Sequence, residues 1–104
     1  MYSYVATLTR VIDGDTVVLD LDLGFYLWRR NTSYRLARIN APELSTAEGV
    51  TARTALVAYL AGKKLTATTT KPDKYGRSLV DLYADTQDVN DWMLTNGYAV
   101  PYTG

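Results

Sequence analysis

The feature that most constrains this chain is a run of alternating residues that directly follows a turn signal. Within residues 16–23 the apolar side chains recur at every second position, at Val17, Leu19, Leu21 and Leu23. A period of two predicts a β-strand with one buried face. The preceding Asp13-Gly14-Asp15 has the composition of a tight turn, and residues 4–9 before it are rich in β-branched and aromatic residues. The two runs together predict a β-hairpin.

Three more strands are predicted further along the chain. Residues 25–30 continue the sheet as far as a turn at Asn31-Thr32, and residues 34–39 form the third strand, which ends before Pro42 because proline cannot donate to a ladder. The Thr-rich residues 65–70 and residues 78–84 have the composition of a fourth and a fifth strand.

Two helices are predicted between and after these strands. Ser45 or Thr46 can cap the first, in which apolar residues recur at helical spacing as far as Gly62. Asp88 caps a shorter helix over residues 89–96, and Gly97 stands where a helix C-terminus favours glycine.

This order of elements predicts a mostly β fold of the α+β class, a five-stranded Greek-key barrel of the OB type with two helices. A length of 104 residues, without repeats or linkers, predicts a single domain over residues 1–104.

The charge and composition restrict the chemistry. Eleven Lys and Arg balance eleven Asp and Glu, which excludes a uniformly basic nucleic-acid binder but leaves room for a local basic cleft. The chain has no Cys and no His, so a thiol nucleophile, a Ser-His-Asp triad and a histidine metal site are excluded. Any hydrolysis must therefore use carboxylates, Arg, Lys or Tyr, with or without a hard metal ion. The sequence shows no secretory signal and no apolar run long enough to span a membrane, so an intracellular location is the default expectation.

Three segments combine polar residues in patterns that could bind a ligand or catalyse a reaction, and each pattern also has an ordinary structural interpretation. Asp13 and Asp15 suit a hard cation, although Asp and Gly are also ordinary turn residues. Alternation along the third strand places Arg35 on a face with apolar residues and Asn40 on the opposite face. Arg35 therefore either lies in a cleft that awaits an anion or pairs with an aspartate. Glu43 follows a proline, where it is either a positioned base or a solvated loop acid. Residues 73–77 (Asp-Lys-Tyr-Gly-Arg) suit phosphate binding but are equally typical of a polar turn.

Taken together and in this order, these motifs resemble one family, the staphylococcal nuclease-like (thermonuclease) domains. The resemblance covers residues 5–100, and its strongest elements are the Asp-Gly-Asp-Thr turn, the Arg35 to Pro42-Glu43 segment and the Asp-Lys-Tyr-Gly-Arg loop. Residues 22–25 and the Asn-Ala-Pro-Glu segment further resemble phage-encoded members.

The resemblance implies Ca²⁺-dependent hydrolysis of phosphodiesters in DNA or RNA, which leaves 3′-phosphate ends and favours single-stranded substrate. It implies catalytic roles for Arg35, Glu43 and Arg77. The implied calcium ligands are Asp15, Asn40 and the main-chain carbonyl of Ala41, and the implied substrate contacts are Lys74, Tyr75 and Tyr102.

Two departures from the family pattern carry expectations of their own. Asn40 stands where the family commonly has Asp; one charge at about 4 Å and a dielectric of roughly 20 corresponds to at most about 4 kcal/mol, so we expect weakened metal binding. The sequence ends at Gly104, so we expect no counterpart of the family's C-terminal helix, with either a monomer or a homodimer.

The competing hypothesis is a nuclease-like module that binds nucleic acid or protein without cutting.

Overall fold

The computed structural model describes residues 3–69 and 78–102, and five long strands in these residues close into a barrel. Including three short ones, the strands are β1 (Ser3–Asp13), β2 (Thr16–Gly24), β3 (Leu27–Leu36), β4 (Ile39–Asn40), β5 (Leu65–Thr69), β6 (Ser78–Ala84), β7 (Gln87–Asp88) and β8 (Val100–Pro101). The barrel order is β3-β2-β1-β5-β6 with antiparallel neighbours, and a parallel pairing of β3 with β6 closes it. Because β5 returns to lie beside β1 of the β1–β2–β3 meander, the connection is a Greek key. The predicted OB-type barrel is confirmed.

Two helices pack against this barrel in the described part of the chain. Helix α1 (Ala47–Leu60) lies between β4 and β5, and helix α2 (Val89–Thr95) follows β7. Both predicted caps are present: the Thr46 hydroxyl accepts the N–H of Gly49, and the Asp88 carboxylate accepts the N–H of Asp91. None of the described helices combines the length and the apolar character that a bilayer span requires.

The core fills the barrel and the space beneath the helices. The alternation on β2 is confirmed for its first three members, Val17, Leu19 and Leu21, which are buried, whereas Leu23 is exposed. Other fully buried side chains are Tyr34, Leu36, Ile39, Leu56, Leu82 and Met93. Tyr59 of α1 and Trp92 of α2 stack at 3.9 Å between ring centroids, so aromatic contact also connects the two helices.

The prediction of a turn at Asn31-Thr32 is wrong. Strand β3 runs through both residues, and its pairing with β2 shifts there from Leu19↔Thr32 to Leu21↔Arg29, which marks a β-bulge. Asn31 has φ 52° and donates its N–H to Asp20 Oδ1 at 2.6 Å. Asparagine tolerates this backbone conformation in turns and in bulges alike, so composition alone could not separate the two.

The chain instead reverses at Phe25 and Tyr26, which have φ values of 54° and 62°. This places the hairpin turn inside the segment that was predicted to be a strand.

A buried amide connects helix α2 to the barrel wall. Asn90 has no solvent exposure, and its Nδ2 donates to the carbonyls of Ala37 (2.9 Å) and Val80 (3.1 Å). Its Oδ1 accepts the N–H of Leu82 at 3.2 Å. One side chain therefore satisfies backbone groups on β6 and on the segment that follows β3.

We predict that Asn90→Leu lowers the free energy of unfolding by about 3 kcal/mol, because buried backbone donors and acceptors lose their partner. Urea denaturation followed by circular dichroism measures the change. Asn96→Leu is the matched control, because Asn96 is exposed and, within the described residues, its side chain hydrogen-bonds to the Trp92 carbonyl alone. We expect this variant to lose less than about 1 kcal/mol in the free energy of unfolding. Equal losses in the two variants would contradict the role given to Asn90.

Candidate active site

The Asp13–Thr16 turn places a buried carboxylate at the end of the β1–β2 hairpin. The N–H of Asp15 donates to Asp13 Oδ1 at 3.0 Å, and the Thr16 hydroxyl donates to Asp15 Oδ1 at 3.0 Å. Only 7% of the surface of Asp15 is exposed. The motif is therefore a turn, as its plainer interpretation held, and the same turn buries one of its two acids.

Gly14 allows other segments to approach this turn closely. A Cβ at Gly14 would lie 2.7 Å from the Cβ of Ala41 and 3.0 Å from the Cβ of Ala52. The first contact is shorter than real Cβ contacts and the second is tighter than most of them, so glycine lets the turn, the end of β4 and helix α1 approach at one point.

Arg35 joins the turn to the end of β3. It is 6% exposed, and its Nη2 lies 3.4 Å from Asp15 Oδ2, in a salt bridge between two buried side chains. Its Nη1 donates to the Ile39 carbonyl at 3.0 Å. Of the two alternatives for Arg35, the structure shows the pairing with an aspartate.

Asn40 reaches the same guanidinium, which differs from the sequence prediction. A continuous strand over residues 34–39 would place Asn40 on the face opposite Arg35. In the structure β3 ends at Leu36, and a turn follows in which Arg38 has φ 69°. The turn brings Asn40 Oδ1 to 2.9 Å from Arg35 Nη2.

Two oxygen atoms from distant parts of the chain thus converge on one cationic nitrogen. Asp15 Oδ2 also accepts the N–H of Ala41 at 2.8 Å, which fixes the end of β4 against the turn. Burial and the neighbouring Asp15 carboxylate raise the pKa of Asp13 above its ordinary value.

This donor set matches the oxygen chemistry of a hard cation but is small. Carboxylate and amide oxygens are ligands that Ca²⁺ accepts. No group of three or more acidic, His or Cys side chains gathers in the described residues in a way that could hold a metal. Asp15 and Asn40 could therefore supply only part of a coordination shell.

Glu43 lies on the exposed turn between β4 and α1. Its carbonyl accepts the N–H of Thr46 at 3.0 Å and the Thr46 hydroxyl at 2.7 Å, so its backbone is held by the helix cap. Among the described residues its carboxylate has no hydrogen bond or ion pair. The structure thus fixes the position of Glu43 in the chain and leaves its side chain in solvent.

Tyr102 lies against Arg35. Strand β8 pairs with β4, and the N–H of Tyr102 donates to the Arg38 carbonyl at 2.9 Å. Its ring centroid is 4.8 Å from the Arg35 Cζ, within the range of a cation–π contact. Tyr102 is 37% exposed, so part of the residue remains accessible to solvent beside the guanidinium.

The remaining predicted site residues, Lys74, Tyr75 and Arg77, lie outside the described residues. Ser78, which follows them in the sequence, pairs in parallel with Tyr34 beside Arg35.

Sequence reasoning missed the role of Asn90, which fixes the Ala37 carbonyl at the turn before β4. The available signal was an asparagine three residues before Met93, on the buried face of a short helix.

Comparison with known proteins agrees with this fold. Residues 33–103 match the family model described as staphylococcal nuclease homologue, and the chain belongs to this family. It is 36% identical over 97 residues to an "Uncharacterized endonuclease" of Escherichia coli O157:H7, covering 91% of this chain and 59% of that protein. It is 31% identical over 104 residues to a "Micrococcal nuclease" of Shigella flexneri, covering 91% and 56%. The chain thus spans less than two thirds of the length of these relatives.

Gly49 holds the backbone of Glu43 close to helix α1. A Cβ on Gly49 would lie 1.9 Å from the Glu43 carbonyl oxygen and 2.9 Å from that of Pro42, both backbone atoms. We predict that Gly49→Ala lowers the free energy of unfolding, although alanine in a helix is ordinarily favoured over glycine by about 1 kcal/mol. Thermal and urea denaturation measure the change.

The exposed Thr54 of the same helix supplies the matched control. Thr54→Ala should raise stability slightly, by about 0.5 kcal/mol, because only helix propensity changes there. Stabilisation by Gly49→Ala would show that the contact with the Glu43 backbone does not constrain the turn.

Proposed function

We propose that this chain is a metal-dependent nuclease that hydrolyses phosphodiester bonds in single-stranded DNA or RNA to 3′-phosphate products. We further infer that residues 1–104 form one domain. The observation that carries the proposal is the convergence of Asp15 and Asn40 on the buried guanidinium of Arg35. The partly exposed ring of Tyr102 lies beside that guanidinium. The resemblance of the chain to proteins named as nucleases supports the reaction class.

Arg35 is the residue proposed to bind the scissile phosphate. Its donors at Nη1 and Nη2 are held in a fixed plane by Ile39 and Asn40, so the guanidinium is oriented before substrate arrives. A buried cation interacts strongly with charge that develops on phosphate oxygens in the transition state, because little water screens it. Tyr102 would contact the nucleotide next to that phosphate by stacking.

Glu43 is the residue proposed to activate water. Its carboxylate is exposed and unpaired within the described residues, while its backbone is anchored by Thr46. As a general base it takes a proton from the attacking water, whose oxygen forms the new bond to phosphorus. The bond to the 5′ oxygen breaks with its electron pair on that oxygen, which takes a proton from solvent and leaves as the 5′-hydroxyl. A carboxylate already neutralised by an ion pair could not take this proton readily.

Calcium is the proposed cofactor, and the residues that would hold it are Asp15, Asn40 and the main-chain carbonyl of Ala41. The convergence of the Asp15 and Asn40 oxygens on the cationic Arg35 guanidinium supports a cation at this turn. Bound there, the ion would supply positive charge toward the phosphate. Arg77 as a second catalytic cation, and Lys74 and Tyr75 as substrate contacts, enter the proposal on family resemblance alone.

The second candidate is a module that binds nucleic acid or protein without cutting it. The observation that favours it is the occupation of Arg35 by internal acceptors, Asp15, Asn40 and Ile39, which would also suit a purely structural ion pair.

Cleavage of denatured DNA by the wild-type chain at millimolar Ca²⁺ tests the proposal, with EDTA abolishing it. We expect Glu43→Gln to lower kcat by a factor of about 10² to 10⁴ through loss of the base. Arg35→Lys, which keeps the charge but loses the planar fork, should lower it by about 10² or more.

Glu48→Gln and Arg30→Lys are the matched controls for these two variants, because both residues are exposed and the contacts of Arg30 are with Asp20 and the Trp28 ring within the described residues. Circular dichroism checks that each variant is folded. Cleavage that survives EDTA, or that both site variants retain, would overturn the mechanism; binding without cleavage would favour the second candidate.

Asn40→Asp should strengthen metal binding, because a carboxylate replaces a neutral amide at a proposed ligand. We expect the Kd for Ca²⁺ to fall by about tenfold or more, measured by calorimetry without substrate. Asn31→Asp adds the same charge in the β3 bulge and should change the Kd little. An unchanged Kd in Asn40→Asp would remove Asn40 from the proposed site.

A further inference from the structure

A second cleft opens next to the candidate site, between the end of β1, the turn after Glu43 and helix α1. Its volume is about 570 Å³. The side chains that line it are Arg10, Val11, Ile12, Leu44, Val50 and Arg53.

The apolar part of this cleft is open to solvent. Val50 is 53% exposed and Leu44 is 41% exposed. Val50 belongs to the apolar set that predicted helix α1, yet the helix uses Gly49, Ala52, Leu56 and Leu60 for its buried contacts. Val50 and Leu44 therefore contribute apolar surface to the cleft and not to the core.

The charged part of the cleft is entirely positive. Arg53 is held to β1 by its Nε, which donates to the Val11 carbonyl at 3.1 Å, while Arg10 is exposed and has no hydrogen bond or ion pair within the described residues. None of the described residues that line the cleft carries a carboxylate. By contrast, Arg30, Arg35 and Arg38 each pair with an aspartate. In a chain of zero net charge, two arginines without an acid partner favour an external anion.

Two residues that line the cleft are sequence neighbours of residues in the candidate site. Ile12 directly precedes Asp13, and Leu44 directly follows Glu43. Val50 follows Gly49, whose backbone lies in contact with the Glu43 carbonyl. The cleft also adjoins the Asp13–Thr16 turn in space, because Gly14 of that turn closely approaches Ala52, the residue before Arg53.

We propose that this cleft binds the segment of single-stranded nucleic acid that flanks the phosphate at the candidate site. Arg10 and Arg53 hold backbone phosphate through their guanidinium groups, and Leu44 and Val50 contact the face of a base or sugar. The identity of the strand as substrate rests on the proposed function. The chemistry of the cleft, two cations around apolar surface, is independent of whether the chain cuts.

The test is fluorescence anisotropy of a labelled 12-nucleotide single-stranded DNA in EDTA, over a range of salt concentrations. We expect Arg10→Gln combined with Arg53→Gln to weaken binding about tenfold or more. The slope of log K against log salt should become shallower by about 1.4, since each phosphate contact on a single strand contributes about 0.7. Val50→Asn should weaken binding by a few fold without changing the slope, because it removes apolar contact and no charge.

Arg29→Gln is the matched control, since Arg29 is exposed and without an ion pair within residues 3–69 and 78–102 but lies on β3, away from the cleft. Thermal melting checks the fold of every variant, and Arg10→Gln alone tests the cleft if the Arg53 change unfolds the chain. Equal weakening by Arg29→Gln and by the cleft variants would overturn the proposal, as would a wild-type chain that fails to bind the oligonucleotide.

Competition experiments separate the nucleic acid from other anions. Polyglutamate that displaces the oligonucleotide at lower concentration than unlabelled single-stranded DNA would overturn the proposal in favour of an acidic polypeptide. Wild-type binding that depends on Arg10 and Arg53, without cleavage under any metal condition, would leave the cleft standing and remove the nuclease proposal. If the chain cleaves the oligonucleotide but its binding is unchanged by substitution of both arginines, the cleft proposal is overturned and the nuclease proposal is kept.

Discussion

The buried ion pair between Arg35 and Asp15 is the interaction on which the arrangement of this site depends. It connects the β1–β2 turn to the end of β3, and through Asn40 and Ala41 it also fixes β4. Taking two charges out of water is costly, and the cost is tolerated only where further hydrogen bonds complete the network. The amide of Asn40 and the backbone groups of Ile39 and Ala41 provide those bonds.

This network explains how a chain of zero net charge can still present concentrated charge. Among the described residues, Arg30 and Arg38 pair with aspartates on the surface, Arg38 with both Asp81 and Asp88. Arg35 differs because its aspartate partner is buried with it, so water screens neither charge fully. Arg10 and Arg53, in the cleft beside Glu43, have no acidic residue next to them among the described residues that line the cleft. Local arrangement thus matters more than overall composition for the binding of anions.

Sequence patterns predicted most of the fold for identifiable reasons. The alternation of β2, the helix caps Thr46 and Asp88 and the Greek-key order follow from local periodicity and hydrogen-bonding chemistry. Asn31 was misinterpreted because one residue type serves turns and bulges alike. The failure at Asn40 has a different origin: face alternation was extended through Ala37 and Arg38, where the strand had already ended. The exposure of Val50 likewise depends on how α1 is rotated against the barrel.

The sequence by itself determined the element order, the barrel class and the types of residue available for chemistry, since periodicity and side-chain chemistry are local properties. Only the tertiary structure decided that Asp15, Arg35 and Asn40 meet at one nitrogen, that Glu43 remains free of that cluster within the described residues, and that Asn90 secures the intervening turn. The reason is physical. These contacts join residues far apart in the chain, and their partners are selected by barrel closure and by the need to satisfy buried polar groups, which no local pattern encodes.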